Sequence, residues 1–228
     1  MSDFSKFSTN QLQNSLNVIR SQNINGATQE FGNLLKEEIE KRNIDKSKEY
    51  FHSLIKRKVA QTSVGSSALR NQGAKGIIEI SRNYFENEID LKEFKQQLYS
   101  DNFKEYLDDN TIKLRNLFPE NGQSWGAARK GLNLFLRDVI YNHYLREDLN
   151  INSDSIKHLK KLEVPLDKDV AKGLLQEKEN KSLKRWKSIK SLDQITSDKY
   201  QNIAYTVAER KGILRVHLDL EYWRKVKQ

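Results

Sequence analysis

The sequence predicts an all-α protein, and three observations predict it. Apolar residues recur at three- and four-residue spacing along nearly the whole chain, the signature of helices that bury one face. Residues suited to cap a helix stand just before or just after these stripes, among them Asp45, Ser124, Asp167 and Gly212. One stretch alone alternates like a strand (Val216, Leu218, Leu220, Tyr222), and no second strand is visible to pair with it, so it too is read as helix. With 228 residues the chain suits one domain, or two lobes of about 1–110 and 111–228 that share a cleft.

The elements follow in order. Leu12, Leu16 and Ile19 form a first stripe; Phe31, Leu34, Leu35 and Ile39 form a second after a turn at Asn25-Gly26. Asp45 is placed to cap a third helix bearing Phe51, Leu54, Ile55 and Val59. A break over residues 62–76 is rich in Ser and Gly, with Gly65, Gly73 and Gly76 as backbone kinks. Helices resume with Ile77 to Phe85, then with Leu91, Phe94 and Leu98. Two shorter ones carry Phe103, Tyr106 and Leu107, and Ile112, Leu114 and Leu117. After a turn at Pro119-Glu-Asn-Gly122, Ser124 caps what reads as the longest helix, reaching Tyr144. A polar linker over 147–155 and a short helix lead to Val164-Pro165-Leu166-Asp167. Asp167 then caps a helix through Val170, Leu174 and Leu175. Ser197 opens the next, and Gly212 ends it. No internal repeat is present.

Charge and composition narrow the function. Against 31 Asp and Glu stand 40 Lys and Arg, a formal charge of +9, which attracts polyanions and makes nucleic acid the expected partner. There is no cysteine, so disulfides, thiol catalysis and Cys-built metal centres are excluded. The four histidines, His52, His143, His158 and His217, lack the paired spacing of a zinc site, and no metal or other cofactor is expected. Residues 1–7 are polar and resemble no signal peptide. No window approaches the roughly 18 apolar residues of a membrane span, so a cytoplasmic protein is expected.

Two segments carry candidate chemistry. In Ser124-Trp125-Gly126-Ala-Ala-Arg129-Lys130, small residues let a backbone approach closely, and a helix start favours an anion such as phosphate. A lysine beside that start and an adjacent guanidinium has its pKa pressed down, which makes the amine a better nucleophile. The same residues also describe an ordinary capped helix with solvated cations. In Val164-Pro165-Leu166-Asp167 a carboxylate stands at a helix start, where it is electrostatically favoured and can serve simply as a cap.

In order and setting the two segments resemble the helix-hairpin-helix DNA glycosylase superfamily. There a glycine-rich turn leads to a helix bearing a catalytic lysine, and a Val-Pro-x-Asp segment later delivers a catalytic aspartate. Gly126-Ala-Ala-Arg-Lys130 falls on the family's Gly-x-Gly-x-Lys, with Ala128 in place of the second glycine. The separation of Lys130 from Asp167 is closest to the archaeal 8-oxoguanine glycosylase branch. The resemblance covers these segments and their flanks. It implies a two-lobe helical fold and a monomer that flips a base from DNA. Lys130 would attack C1′ and Asp167 would stabilise charge on the sugar. Such an enzyme is a hydrolase of base excision repair, with lyase activity where the lysine forms a Schiff base.

Beyond these, residues 178–190 (KENKSLKRWKSIK) gather cations around Trp186. Lys184, Arg185 and Lys187 can track phosphates while the indole stacks on a base; a solvated loop with one inward tryptophan fits as well. The Ser- and Gly-rich stretch 66–76 matches no P-loop and reads as a structural loop. His217-Leu-Asp219 reads as local packing. Two other functions fit the composition: a non-catalytic DNA-binding helical protein of restriction or phage defence, and a basic adaptor for an acidic protein. The Lys130–Asp167 pair separates an enzyme from the first, and steep salt dependence of DNA binding separates both from the second.

Overall fold

A computed structural model describes residues 3–21, 26–65, 68–69, 75–180 and 183–223, with side chains omitted for 26–28. Among these residues the regular structure is helical, with no strand. The α-helices are α1 (Thr9–Ser21), α2 (Gly26–Ser63), α3 (Ile77–Asn87), α4 (Leu91–Tyr99), α5 (Phe103–Leu117), α6 (Trp125–Tyr141), α7 (His143–Asp148), α8 (Ile156–Leu159), α9 (Lys168–Gln176), α10 (Gln194–Lys211) and α11 (Leu218–Tyr222). Among the described residues no helix is long and apolar enough to cross a membrane.

The chain divides into two compact units, Met1–Leu54 and Ile55–Gln228. The first has its own small core, in which Leu12 and Leu16 of α1 meet Leu35 and Ile39 of α2. Arg42 locks it by donating to the carbonyls of Phe7 (2.6 Å) and Phe4 (2.9 Å) and to Glu38 (2.8 Å). In the second unit one core runs from Val59 to Tyr222, centred on α6, whose Leu132, Phe135, Leu136 and Val139 are fully covered. Phe135 stacks on Phe85 of α3 with ring centroids 4.8 Å apart. The border therefore falls at Leu54–Ile55 rather than near residue 110, because α3, α4 and α5 pack into the same core as α6.

Several boundaries differ from the sequence reading. Asp45 caps nothing: it lies exposed inside α2, which is also longer than the helix after Ser124. A solvated aspartate within a helix costs only a fraction of a kcal/mol, about 0.7 at most, and no Gly or Pro interrupts the run. Asn110 and Thr111 are buried in the middle of α5 and return their side chains to backbone carbonyls of Tyr106 and Leu107. The expected two helices over 103–117 are thus one. The helix after Ser124 stops at Tyr141, where Asn142 caps α7. Asp193, whose carboxylate accepts from Thr196 N at 2.7 Å, opens α10 in place of Ser197. The C-terminal stretch is helical, as read, and Gly76 and Gly212 take positive φ of 94° and 67°. Asn25 and Gly73 lie outside the described residues, as do Ser66, Ser67 and residues 70–74 of the Ser- and Gly-rich loop.

Candidate functional site

The start of α6 is built from the inside outward. Ser124 accepts from Ala127 N at 3.1 Å, an N-cap as expected. Gly126 faces the turn Ile189–Ser191 and Leu192: a Cβ there would fall 2.3 Å from the Ile189 carbonyl oxygen and 2.7 Å from Leu192 Cβ. Only glycine allows this approach. It also closes the helix start, because backbone of the 189–192 segment occupies the place where a phosphate was expected. Ser124 is 4% exposed. The sequence-based assignment of Ser124 and Gly126 to a nucleic-acid surface is therefore corrected: they are packing positions.

Arg129 moves further still from that assignment. It is 2% exposed, and its guanidinium donates to Glu163 (2.8 and 3.2 Å), Asp108 (2.8 Å) and Thr111 (2.9 Å). Its charge centre lies 5.2 Å from the ring of Trp125, which is half-buried. A cation held by two carboxylates in the core has no reach to DNA, so Arg129 is a structural residue and Trp125 is its cover. Burial alone would raise the Glu163 carboxyl, yet Arg129, with Arg215 and Asn133, holds it down at about 2.

Lys130 turns the other way. Its amine donates to the carbonyl of Ala68 at 2.9 Å, and the residue is 8% exposed. Burial pulls the ammonium below its ordinary pKa; the carboxylates of Asp167, Asp219 and Asp169 oppose this, and Arg137 adds to it. Pro165 and Leu166 are buried and fix the approach to Asp167, whose Oδ1 caps α9 by accepting from Asp169 N (2.9 Å) and Val170 N (2.8 Å). Oδ1 is thus committed to the helix, and Oδ2 is left to face the surroundings.

These two residues line one cleft of about 610 Å³. Its wall continues through Lys168, Asp169 and Lys172 of α9 and through Arg185, Trp186 and Lys187. Five cations to two acids make it an anion-attracting cleft. Of the basic stretch, Lys184, Arg185 and Lys187 are exposed. Trp186 is half-buried, meets Tyr200 edge to face at 6.2 Å, and packs on the core while still lining the cleft. Tyr200 Oη ties the loop down by donating to the Lys184 carbonyl at 3.1 Å. Lys181 lies outside the described residues. Of the ten residues singled out from sequence, Lys130, Asp167, Arg185, Trp186 and Lys187 meet in this cleft.

A second hollow of about 550 Å³ holds Lys104, Lys160, Lys161 and Arg215, but these are already engaged. Lys104 pairs with Asp108 and Asp198, Lys160 with Glu209, and Arg215 donates to the carbonyls of Lys161, Leu162 and Gln201. Among the described residues no group of three or more His, Asp or Glu could hold a metal ion.

Two residues that matter at the cleft escaped the sequence reading. Arg137 stands seven positions after Lys130 on α6, which returns it to the same helix face, and that spacing was legible. Asp219 pairs with it from far along the chain, and no local signal points there. Compared with known proteins, the chain matches no family model, no curated protein and no solved structure.

Proposed function

We propose that the chain is a DNA N-glycosylase of the helix-hairpin-helix type that acts on a flipped base, with Lys130 as nucleophile and Asp167 as the charge that steadies the sugar. The observation that carries this reading is the shared cleft. A buried amine of lowered pKa and a carboxylate at a helix start line one cavity, beside exposed cations suited to phosphates. A depressed lysine offers more free amine near neutral pH. It can attack C1′ as the bond to the base breaks, the base leaving with the electron pair and taking up a proton. The resulting Schiff base permits loss of the 3′ phosphate and nicks the strand. Asp167 retains Oδ2 for the positive charge that develops on the sugar. A two-lobe arrangement with the cleft between lobes belongs to the same proposal. The test is borohydride trapping of the full chain on oligonucleotides bearing a panel of damaged bases; a covalent adduct absent in Lys130→Gln supports it, and no adduct or base release on any lesion overturns it.

One observation favours a second reading. The Lys130 amine already has a hydrogen-bond acceptor in Ala68 and is nearly covered. A lysine so anchored suits a DNA-binding protein without chemistry, in which the exposed cations of the loop do the binding. Salt-dependent duplex binding without trapping would establish it.

A further inference from the structure

Asp219 comes to the cleft from the C-terminal segment, and its placement is fixed by packing. Helix α11 lies against α9 through Tyr222, whose ring covers Gly173: a Cβ there would fall 2.3 Å from ring Cδ1. Tyr222 Oη donates to Glu177 Oε1 at 2.6 Å, at the far end of α9. These contacts set the register of α11. Asp219, one turn before Tyr222, is 8% exposed and accepts from the Arg137 guanidinium. Arg137 also donates to Asp138 at 2.8 Å and shares a face of α6 with Lys130.

The charged groups around Lys130 can therefore be named by element. Helix α6 supplies Arg137 and Asp138, with Tyr141 beside them. From α9 come Asp167 and Asp169. The C-terminal segment supplies Asp219, with His217 two residues before it. Burial pushes the Asp219 carboxyl above its ordinary range, Arg137 acting against this and Asp167 with it. Arg137 itself is held above its ordinary value, Asp138 and Asp219 outweighing its own burial. The pair keeps two opposite charges together beside the lysine. Without the carboxylate, the guanidinium would press unopposed on the Lys130 ammonium; without the guanidinium, the carboxylate would hold a proton on it.

We propose that Asp219 is a positioning residue for Lys130: by neutralising Arg137 it governs how readily the amine gives up its proton, and so how much free amine the cleft offers to an electrophilic sugar carbon. The last clause rests on the glycosylase reading. The ionisation of Lys130 is a property of the free protein.

The test follows the Lys130 side chain by NMR in the full chain with 13C,15N-labelled lysine, its signal assigned by loss in Lys130→Gln. Asp219→Asn should lower the ionisation midpoint by about one pH unit, and Arg137→Gln should raise it by about as much. Asp219→Glu should leave it near the parent value. The double variant Arg137→Gln/Asp219→Asn, which removes both charges and keeps amides able to hydrogen-bond, should return it there, and it serves where a single variant does not fold. Midpoints that stay put in these proteins, or move the same way in both single variants, overturn the inference even where melting temperature falls. Trapping assays on the same proteins keep the two ideas apart. Shifted midpoints with no trapping in the unmodified protein reject the glycosylase and leave the role of Asp219 standing; trapping with unshifted midpoints does the reverse.

Discussion

Arg129 and Glu163 face each other through two hydrogen bonds in the core, both residues less than 5% exposed, one from α6 and one from the segment before Val164. Asn133 donates to the same carboxylate at 3.0 Å. The pair joins the two segments that carry the candidate site. Arg129→Met leaves Glu163 buried with no guanidinium, and it should destabilise the protein by about 3–5 kcal/mol in urea unfolding. Arg129→Met combined with Glu163→Leu should recover much of that loss, since no charge is then stranded. Equal stability in Arg129→Met and the parent would contradict this account.

The same carboxylate predicts acid behaviour. Its folded pKa of about 2 lies below the ordinary 4.5, so its contribution is complete above pH 4.5 and fades as the pH falls toward 2. Urea midpoints measured from pH 5.5 downward should drop steeply over this window. In Glu163→Gln the drop should be shallower and begin from a lower starting stability. An identical pH slope would assign the acid sensitivity to other carboxylates.

Lys130 and Asp167 make opposite predictions for binding and chemistry. Lys130→Gln should abolish borohydride trapping and leave duplex affinity nearly intact, because one cation of many is lost. Asp167→Asn keeps an oxygen for Asp169 N and Val170 N, and Asn caps about as well as Asp, so the melting temperature should hold. Base release should fall by about a hundredfold or more. A matching fall in melting temperature would mark Asp167 as a cap and nothing more.

How much of this was written in the sequence depends on the range of the interaction. Local signals carried well: Ser124, Asp167 and Gly212 terminate helices where read, and the stripes of Leu12, Phe94 and Leu132 face cores. Lys130 and Asp167 were legible as residue types at helix starts. Burial was not. Arg129 and Lys130 are neighbours with the same charge, yet one turns into the core and the other lines the cleft. That choice is made by Glu163 and Asp108, which only the tertiary fold brings near. The Ile189 carbonyl over Gly126 is equally non-local and turned an apparent phosphate site into a packing position. Asp219 was read as local packing because its partner, Arg137, lies far away in sequence.

The exposed cations of the loop make a prediction that needs no chemistry. Replacing Lys184, Arg185 and Lys187 together by Ala should weaken binding to all DNA sequences alike. The slope of log affinity against log salt should flatten by about one unit for each phosphate no longer neutralised. Lys104, Lys160 and Lys161, engaged around the second hollow, should change the slope far less when replaced. An unchanged slope in the loop variant would remove the loop from the binding surface.

The closeness of Gly126 to Ile189 has a mechanical consequence. The tail of the basic loop rests backbone to backbone on the first turn of the helix that bears Lys130, and Tyr200 pins the loop again at Lys184. Such a loop cannot swing as a hinged flap without prising up the helix beneath it. A polyanion arriving there would meet a rail already set at fixed height, so the bending would fall on the strand and not on the protein. Discrimination would then follow how easily a given stretch of nucleic acid kinks or unstacks, with weakly stacked or mismatched positions yielding first.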